Sequence, residues 1–256
     1  MSVINTNVNS LTAAAALAVN GRNLSTAMEQ LSTGKRINGS KDDAAGQAIA
    51  SRMTAQIRGL DQAVRNANDG ISMLQTADGA MEEVSNMLQR MRELAVQHSN
   101  ETNATNDLAA LSVEYAALSA EITRIDGDTT WNSKTLFDVG AATFQVGANS
   151  GDVVSASIEA ISLTGSISTL GAIDTDIDTI NTSRSALGAA INRLTYAANN
   201  SLSISTNTSA SRSRIMDTDY AKTSAELART QIVQQAATAM LAQANQGAQS
   251  VLALLK

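Results

Sequence analysis

Apolar residues recur every seven positions from residue 53 to 95: Met53, Leu60, Ala67, Leu74, Met81, Leu88 and Ala95 form one stripe. Ile57, Val64 and Ile71 fill a companion position before the second stripe shifts to Val84 and Met91. A seven-residue repeat with two apolar places belongs to a helix that buries one seam against other helices. The spacing therefore predicts one long coiled-coil-like helix. Ser40-Lys41-Asp42-Asp43 predicts its cap, with the Ser40 hydroxyl accepting from the Asp43 amide and two carboxylates facing the positive helix end. Ser99-Asn100 predicts its stop. At a rise of about 1.5 Å per residue, a helix from about 42 to 99 runs about 87 Å, which predicts a rod.

A second seam, Leu108, Leu111, Tyr115, Leu118, Ile122 and Ile125, alternates steps of three and four up to Asp126-Gly127-Asp128 and predicts a helix folded back on the first. Between about 130 and 171 the helical period disappears. Glycines at 140, 147, 151, 165 and 171 and alternating stretches such as Thr143-Phe144-Gln145-Val146 and Ala156-Ser157-Ile158-Glu159-Ala160 predict short hairpins there. The helical pattern resumes at Ile173, Ile177, Ile180, Leu187, Ile191, Leu194 and Ala198, then gives way to a weakly patterned, Ser-rich stretch from Asn199 to Ser213. A last seam runs Val233, Ala237, Met240, Ala244, Gly247, Val251 and Leu254. Near the start, Ile4, Leu11 and Ala18 mark one stripe and Leu17, Leu24 and Leu31 another.

Charge changes the picture at the two ends. From Met1 to Met28 the one charged side chain is Arg22, and from Thr230 to Leu255 there is none. At the 16% charge of the whole chain, those stretches would hold about eight or nine. A solvated helix carries Lys, Glu and Arg on its wet face, so amphipathic helices whose other face is Ser, Thr, Asn, Gln and Ala call for a cover less wet than bulk water. The two ends suit each other as partners. Such weakly hydrophobic arms bury little apolar area alone, and the expectation is that both are disordered in an isolated subunit and become helical on assembly.

Composition removes most chemistry. There is no Cys, no Pro and one His, and 2% of residues are aromatic, which leaves no thiolate or two-His metal site and a core of Ala, Leu, Ile, Val and Met. A net charge of -6 argues against nucleic acid as a partner. The first basic residue is Arg22 and the longest strictly apolar run is Ala13 to Val19, so neither an ordinary signal peptide nor a membrane-inserted helix is expected. Asp174-Thr175-Asp176-Ile177-Asp178 has the start of a calcium loop, but Thr179 and Ser185 stand where the loop needs Gly and Glu. A carboxylate-rich helix start is the better reading. Gly34-Lys35 lacks the preceding Gly of a phosphate loop, and His98, followed by Ser99, reads as a cation at a helix C-terminus. The methionines read as core filling. No catalytic, cofactor or metal site is assigned.

Several of these stretches closely resemble bacterial flagellin: Ile4-Asn5-Thr6-Asn7-Val8, Leu31-Ser32-Thr33-Gly34-Lys35-Arg36-Ile37-Asn38, Lys41 to Ala50, and Arg65-Asn66-Ala67-Asn68-Asp69-Gly70-Ile71-Ser72. Leu88 to Gln97, Phe144-Gln145-Val146-Gly147-Ala148-Asn149, Ser213-Arg214-Ile215 and Met240 to Gln246 follow in the same order. The resemblance implies a mainly α fold, a long coiled-coil helical rod with paired N- and C-terminal helices and a small central β-hairpin region. It implies an N-terminal arm over 1–40, a rod domain over 41–217 and a C-terminal arm over 218–256. With about forty residues between the helical regions, the chain looks stripped to the inner domains of larger flagellins.

The function implied is that of a structural subunit, not an enzyme, which polymerises into the flagellar filament for motility after export, unfolded, through the flagellum's own channel. Implied partners are copies of itself, an export chaperone, and the filament cap and hook-junction proteins. Ile4, Leu11, Leu17, Leu24, Leu31, Val233, Met240, Val251 and Leu254 are the expected polymerisation residues. Leu88 to Gln97 resembles the segment read by the host Toll-like receptor for flagellin, which implicates Leu88, Gln89, Arg90, Arg92, Glu93, Leu94 and the later Glu114 in recognition and subunit packing. Met91 stands there for the family's usual Ile or Val, a volume-conserving change. Leu252, Leu254 and Leu255 resemble a patch read by cytosolic immune sensors. Gly247-Ala248 departs from the family, which commonly has Pro after Asn-Gln, so the last helix keeps every backbone amide. Two alternatives share parts of this pattern: a hook-filament junction protein, with weaker central motifs, and a coiled-coil chemotaxis signalling domain, which keeps its seam unbroken and is tied to a membrane span.

Overall fold

The computed structural model describes residues 6–253, with the side chains of 247–253 left aside. Five helices carry most of the chain: α1 (Val8–Thr33), α2 (Ala44–His98), α3 (Thr105–Asp128), α4 (Leu170–Met216) and α5 (Tyr220–Ala253). Between α3 and α4 lie four short strands, β1 (Thr130–Trp131), β2 (Lys134–Thr135), β3 (Gly140–Gln145) and β4 (Val153–Ile158), forming two antiparallel hairpins. The fold is mainly α with a small central β region. The chain divides into two compact units, one of residues 1–54 with 208–256 and one of 55–207.

In the unit of 55–207, the predicted stripe of α2 is the floor of the core. Ala67, Leu74, Met81, Leu88 and Ala95 are completely or almost completely buried, and Val84 and Met91 continue the second stripe. Tyr115 and Ile122 of α3, and Ile173, Leu187 and Leu194 of α4, close over it. Strand β4 alternates buried and exposed residues, sending Val154, Ala156 and Ile158 into the same core. Each side chain arrives because its element repeats with the period of its own geometry.

The tight β1–β2 turn places Asn132 and Ser133 at φ 47° and 65°, as a two-residue hairpin demands. The β3–β4 register pairs Gly140 with Ile158 and Phe144 with Val154. Gly70 lets the Phe144 ring lie directly on α2, since a Cβ there would come within 2.8 Å of the ring.

Three expectations are corrected. The α2 cap is Asp43, not Ser40: Asp43 Oδ1 accepts from the Gly46 amide at 2.8 Å, while Asp42 Oδ2 accepts from the Asn38 and Gly39 amides at 3.0 Å each. Asp42 thereby holds residues 38–42 in a turn, and the helix begins two residues later. The Ser-rich stretch 199–213 is no break, because α4 runs through it and buries Ser201 and Ser205. Their hydroxyls donate to Val146 O at 2.9 Å and Asp61 Oδ1 at 2.8 Å. Finally, not every Met fills the core: Met81 and Met91 do, whereas Met28 and Met240 are exposed.

The carboxylates of 174–178 have separate structural duties. Asp174 pairs with Arg92 at 2.6 Å. Asp176 is buried in the second turn of α4 and accepts from the Thr164 hydroxyl at 2.6 Å and the Gly165 amide at 2.9 Å, tying the preceding loop to the helix. His98 is the last residue of α2, where its ring can complement the helix dipole.

The Tyr115 hydroxyl is buried and makes no hydrogen bond, and burial, reinforced by the charge of Asp176, pushes its pKa up. The neutral phenol is thus the form that folding favours. Its contribution is present below about pH 10, the unfolded value, and is lost as pH rises through the higher folded value. Tyr115→Phe removes an unpaired buried hydroxyl and is expected to stabilise the fold at neutral pH by about 1 kcal/mol. It should also flatten the loss of thermal stability above pH 10 relative to wild type. Melting curves of both proteins at neutral pH and near pH 11 check this, and a lower melting temperature for the variant at neutral pH would refute it.

Candidate assembly interface

The low-charge ends pair in space: α1 packs along α5 in the unit of 1–54 and 208–256. Asn7 caps α1 by accepting from the Ser10 amide at 3.1 Å and, through Nδ2, donates to Ala244 O at 3.0 Å. Asn20, 8% exposed, donates from Nδ2 to Thr230 O at 2.8 Å. These side-chain amides fix the register of the pair at two places, because a buried amide displaced from its acceptor loses a hydrogen bond with no water to replace it.

The residues facing inward mix leucines with small and polar side chains. On α1 the inner line is Ser10, Ala13, Leu17, Asn20, Leu24, Ala27 and Leu31; on α5 it is Thr223, Leu227, Thr230, Gln234, Ala237, Leu241 and Ala244. Both keep heptad spacing. The expected α5 seam through Val233 and Met240 is therefore corrected: Ala237 and Ala244 lie on the pairing line, while Val233 and Met240 stand outside it. The pairing line instead takes the stripe that holds Thr230, whose hydroxyl is satisfied within the helix by Glu226 O and Leu227 O at 2.9 Å.

A second, outward set of apolar residues results. Val8, Leu11, Val19 and Met28 on α1, and Ile232, Val233 and Met240 on α5, are exposed, Leu11 to 60% and Met240 to 65%. Of the expected polymerisation residues, Leu17, Leu24 and Leu31 are half-buried in the pair and Leu11, Val233 and Met240 face outward. Ile4 and Leu254 lie outside the described residues, as do Leu255 and the side chains of Val251 and Leu252. Helix α5 continues through Gly247 without a break.

The connectors on either side of the pair are joined. Gly34 ends α1 in the left-handed region at φ 70°, with the Tyr220 hydroxyl where a side chain would stand. Arg36 N donates to Met216 O at 2.6 Å, Thr218 N donates to Gly34 O at 3.0 Å, and the Arg36 guanidinium donates to Ile215 O at 2.7 Å. Ile37 is buried beside them.

The second expected set, in the unit of 55–207, divides in two. Arg90 donates to Glu93 Oε2 at 2.9 Å and to Glu114 Oε1 at 2.9 Å, an exposed cluster joining α2 and α3. Hydrogen bonding to Glu93, then to Glu114, raises the Arg90 pKa further above its ordinary value. Arg92 faces Asp174 beside a shallow groove that Gln89, Glu93, Ile177 and Asp178 also line. Leu88 and Leu94 are not on this surface; both are 1% exposed and belong to the core. Among the described residues no group of three His, Cys, Asp or Glu is placed to hold a metal ion, and no helix is long and apolar enough to cross a membrane.

Helices that pair through a seam of Leu, Ala and polar residues while keeping further large apolar side chains outward define a structural, self-associating helical protein. Residues 4–142 match the family model of the bacterial flagellin N-terminal helical region and 170–255 that of the C-terminal helical region. The chain belongs to the bacterial flagellin family. It is 46% identical to a flagellin of Halalkalibacterium halodurans, the alignment covering 99% of this chain and all of the relative. It is 37% identical to a flagellin of Bacillus subtilis, covering 99% of each. That alignment spans 302 positions against the 256 residues here, so the relative carries additional residues. A crystal structure of Bacillus cereus flagellin superposes with a TM-score of 0.50 at 31% identity, over 54% of this chain and 88% of the other.

The protein is a structural subunit of the bacterial flagellar filament, polymerising with its own copies and serving motility. Its place is the extracellular flagellum. The junction and signalling alternatives are not favoured by these full-length similarities.

Asn20→Ala is expected to weaken the α1–α5 pair by about 1–3 kcal/mol, the cost of breaking a buried hydrogen bond. Filaments of the variant should dissociate at lower temperature than wild type while the hydrogen-exchange protection of 67–98 stays unchanged. Equal dissociation temperatures would show that the amide does not fix the pair.

Proposed function

We propose that the outward apolar residues of α1 and α5 are the polymerisation contacts, and that the terminal arms over 1–40 and 218–256, flanking a rod domain over 41–217, become ordered when copies cover them. The carrying observation is the set of exposed large apolar side chains on α1 and α5, Val8, Leu11, Val19, Met28, Ile232, Val233 and Met240 among the described residues, in stretches where charge is sparse. Apolar side chains exposed with so few charges around them are poorly suited to water and well suited to a second copy. Between 231 and 246 no α5 residue is fully buried, so little apolar burial holds this helix in a lone subunit.

Export follows from the same property. A subunit with weakly held ends passes unfolded through the flagellum's own channel, its C-terminal arm held beforehand by an export chaperone. The cap and hook-junction proteins meet the same arms at the two ends of the filament. The exposed Arg90–Glu93–Glu114 cluster, with Gln89 and Arg92 beside it, is the surface a host Toll-like receptor reads. It is also a subunit-packing face. Leu88 and Leu94 support that surface from beneath rather than touching the receptor.

Substituting Leu11, Val233 and Met240 by Gln, one at a time, is expected to raise the critical concentration for filament growth about tenfold each, since full burial of such a side chain contributes about 1.5–3 kcal/mol. Sedimentation of seeded filaments measures it, and circular dichroism of the dilute subunit should not change. An unaltered critical concentration in all three would remove these residues from the interface.

For the receptor surface, Arg90→Ala and Glu114→Ala should each lower signalling in reporter cells about tenfold with unchanged melting. Leu94→Ala should instead lower the melting temperature, as a core cavity costs about 2–5 kcal/mol. Full signalling by both charge variants would place recognition elsewhere.

A further inference from the structure

The chain holds two Asn-Gly pairs, Asn20-Gly21 and Asn38-Gly39. Gly has no Cβ to shield its own amide nitrogen, so an Asn followed by Gly is the arrangement most open to cyclisation. The Gly nitrogen attacks the Asn Cγ, a C–N bond forms, and the side-chain nitrogen leaves as ammonia with the proton that the backbone gives up. Water then opens the succinimide at either carbonyl, giving Asp or the isomer whose chain runs through the side chain. Both pairs are closed in the folded chain, by different means. At 38–39 the Gly39 amide donates to Asp42 Oδ2 at 3.0 Å and Asn38 Nδ2 donates to Lys35 O at 3.1 Å, contacts made within one tight connector. At 20–21 closure depends on the helix pair. Asn20 Nδ2 donates to Thr230 O of α5 at 2.8 Å, and the Gly21 amide is held in the hydrogen-bond ladder of α1 only while α1 is a helix.

We infer that Asn20-Gly21 is a deamidation site, open in the lone subunit and closed in the filament, so that subunits left unassembled lose the ability to assemble. This rests on the reading above in which the arms become ordered when copies cover them. The product falls at a point the pair depends on. Asn20 is 8% exposed and its acceptor is a backbone carbonyl. A carboxylate at 20 has no hydrogen to donate to Thr230 O, and the Thr230 hydroxyl is already committed to Glu226 O and Leu227 O. A buried carboxylate facing a carbonyl costs more than the hydrogen bond it replaces. The isomerised product adds an atom to the backbone inside α1 and breaks the ladder there. Because ammonia departs, the loss is not reversed by later folding.

The test ages the full chain as dilute subunit and as filament in the same mildly alkaline buffer, then digests each with trypsin for mass spectrometry. Peptides 1–22 and 37–41 carry the two pairs separately, and fragment masses locate the change. Residue 20 should convert at least about tenfold faster in the subunit than in the filament, and faster than residue 38 in the same subunit. The capacity of aged subunits to extend fresh seeds should fall in step with conversion at 20. Gly21→Ala has room, since a Cβ there meets nothing within 4 Å, and should age without that loss. Asn20→Asp encodes one product and should raise the critical concentration of fresh protein about tenfold or more, with hydrogen-exchange protection of 67–98 unchanged.

Equal conversion at residue 20 in subunit and filament would overturn the inference. So would aged wild-type and Gly21→Ala subunits that lose seeding alike, or an Asn20→Asp chain that assembles as wild type does. Amide exchange of α1 in fresh subunits separates the two claims. Slow conversion at 20 with α1 exchanging freely overturns the inference alone, whereas slow conversion with α1 protected overturns the ordering of the arms on assembly as well.

Discussion

The buried stripe of α2 is the constraint on which the unit of 55–207 depends. With so few aromatic residues in the chain, Phe137 and Tyr115 are the buried aromatic members of this core and most of its buried area comes from aliphatic side chains. The core is therefore long and thin, a row of Leu, Met, Val and Ile separated by Ala67, Ala77 and Ala95. Alanine lets neighbouring elements approach closely, and the longer side chains fill the spaces between. Helix α3, the hairpins and α4 each contribute a periodic row of their own, and each needs α2 as the surface on which to close.

The pairing of α1 with α5 solves a different problem. The seam mixes Leu17, Leu24, Leu31, Leu227 and Leu241 with Ala and polar residues, so its apolar hold is diluted while Asn7 and Asn20 give it register through hydrogen bonds. Asn7 and Asn20 play the part that a polar residue plays in a coiled-coil seam, specifying alignment at a cost in strength. A weak, well-registered pair suits a segment that must be unfolded at one stage and packed among copies at another.

Much of this fold was legible in the sequence where the seam is apolar. The α2 stripe from Leu60 to Ala95, the α3 seam with Tyr115 and Ile122, and the α4 seam from Ile173 to Ala198 are buried as their spacing indicated. The hairpin region was legible as a loss of period. What escaped notice was the seam written in polar residues. Leu194, Ala198, Ser201, Ser205, Thr208, Arg212 and Ile215 keep steps of four and three and turn inward without interruption, but a count of apolar residues ends at Ala198. The same blindness misplaced the α5 line, where Val233 and Met240 drew attention from Thr223, Thr230 and Gln234. Leu88 is legible as core by its period, whereas Leu94 stands on neither counted stripe; the resemblance to a recognised segment sets both on the surface. The cap of α2 went to Ser40 because a motif was read without the competing turn that Asp42 closes.

The joined connectors at Gly34–Ile37 and Ile215–Thr218 have a mechanical meaning. Two separate strands of backbone between helices would each be a swivel, free to turn about its own axis. Cross-tied by Arg36 N to Met216 O, Thr218 N to Gly34 O, and the Arg36 guanidinium to Ile215 O, they form a closed frame with two legs, and a frame resists twisting that a single leg does not. Rotation applied to the α1–α5 pair is thus transmitted into the first turns of α2 and the last turns of α4. In a filament of such subunits, that stiffness sets how much of an applied twist is carried through each copy's backbone and how much is lost as wind-up along the way.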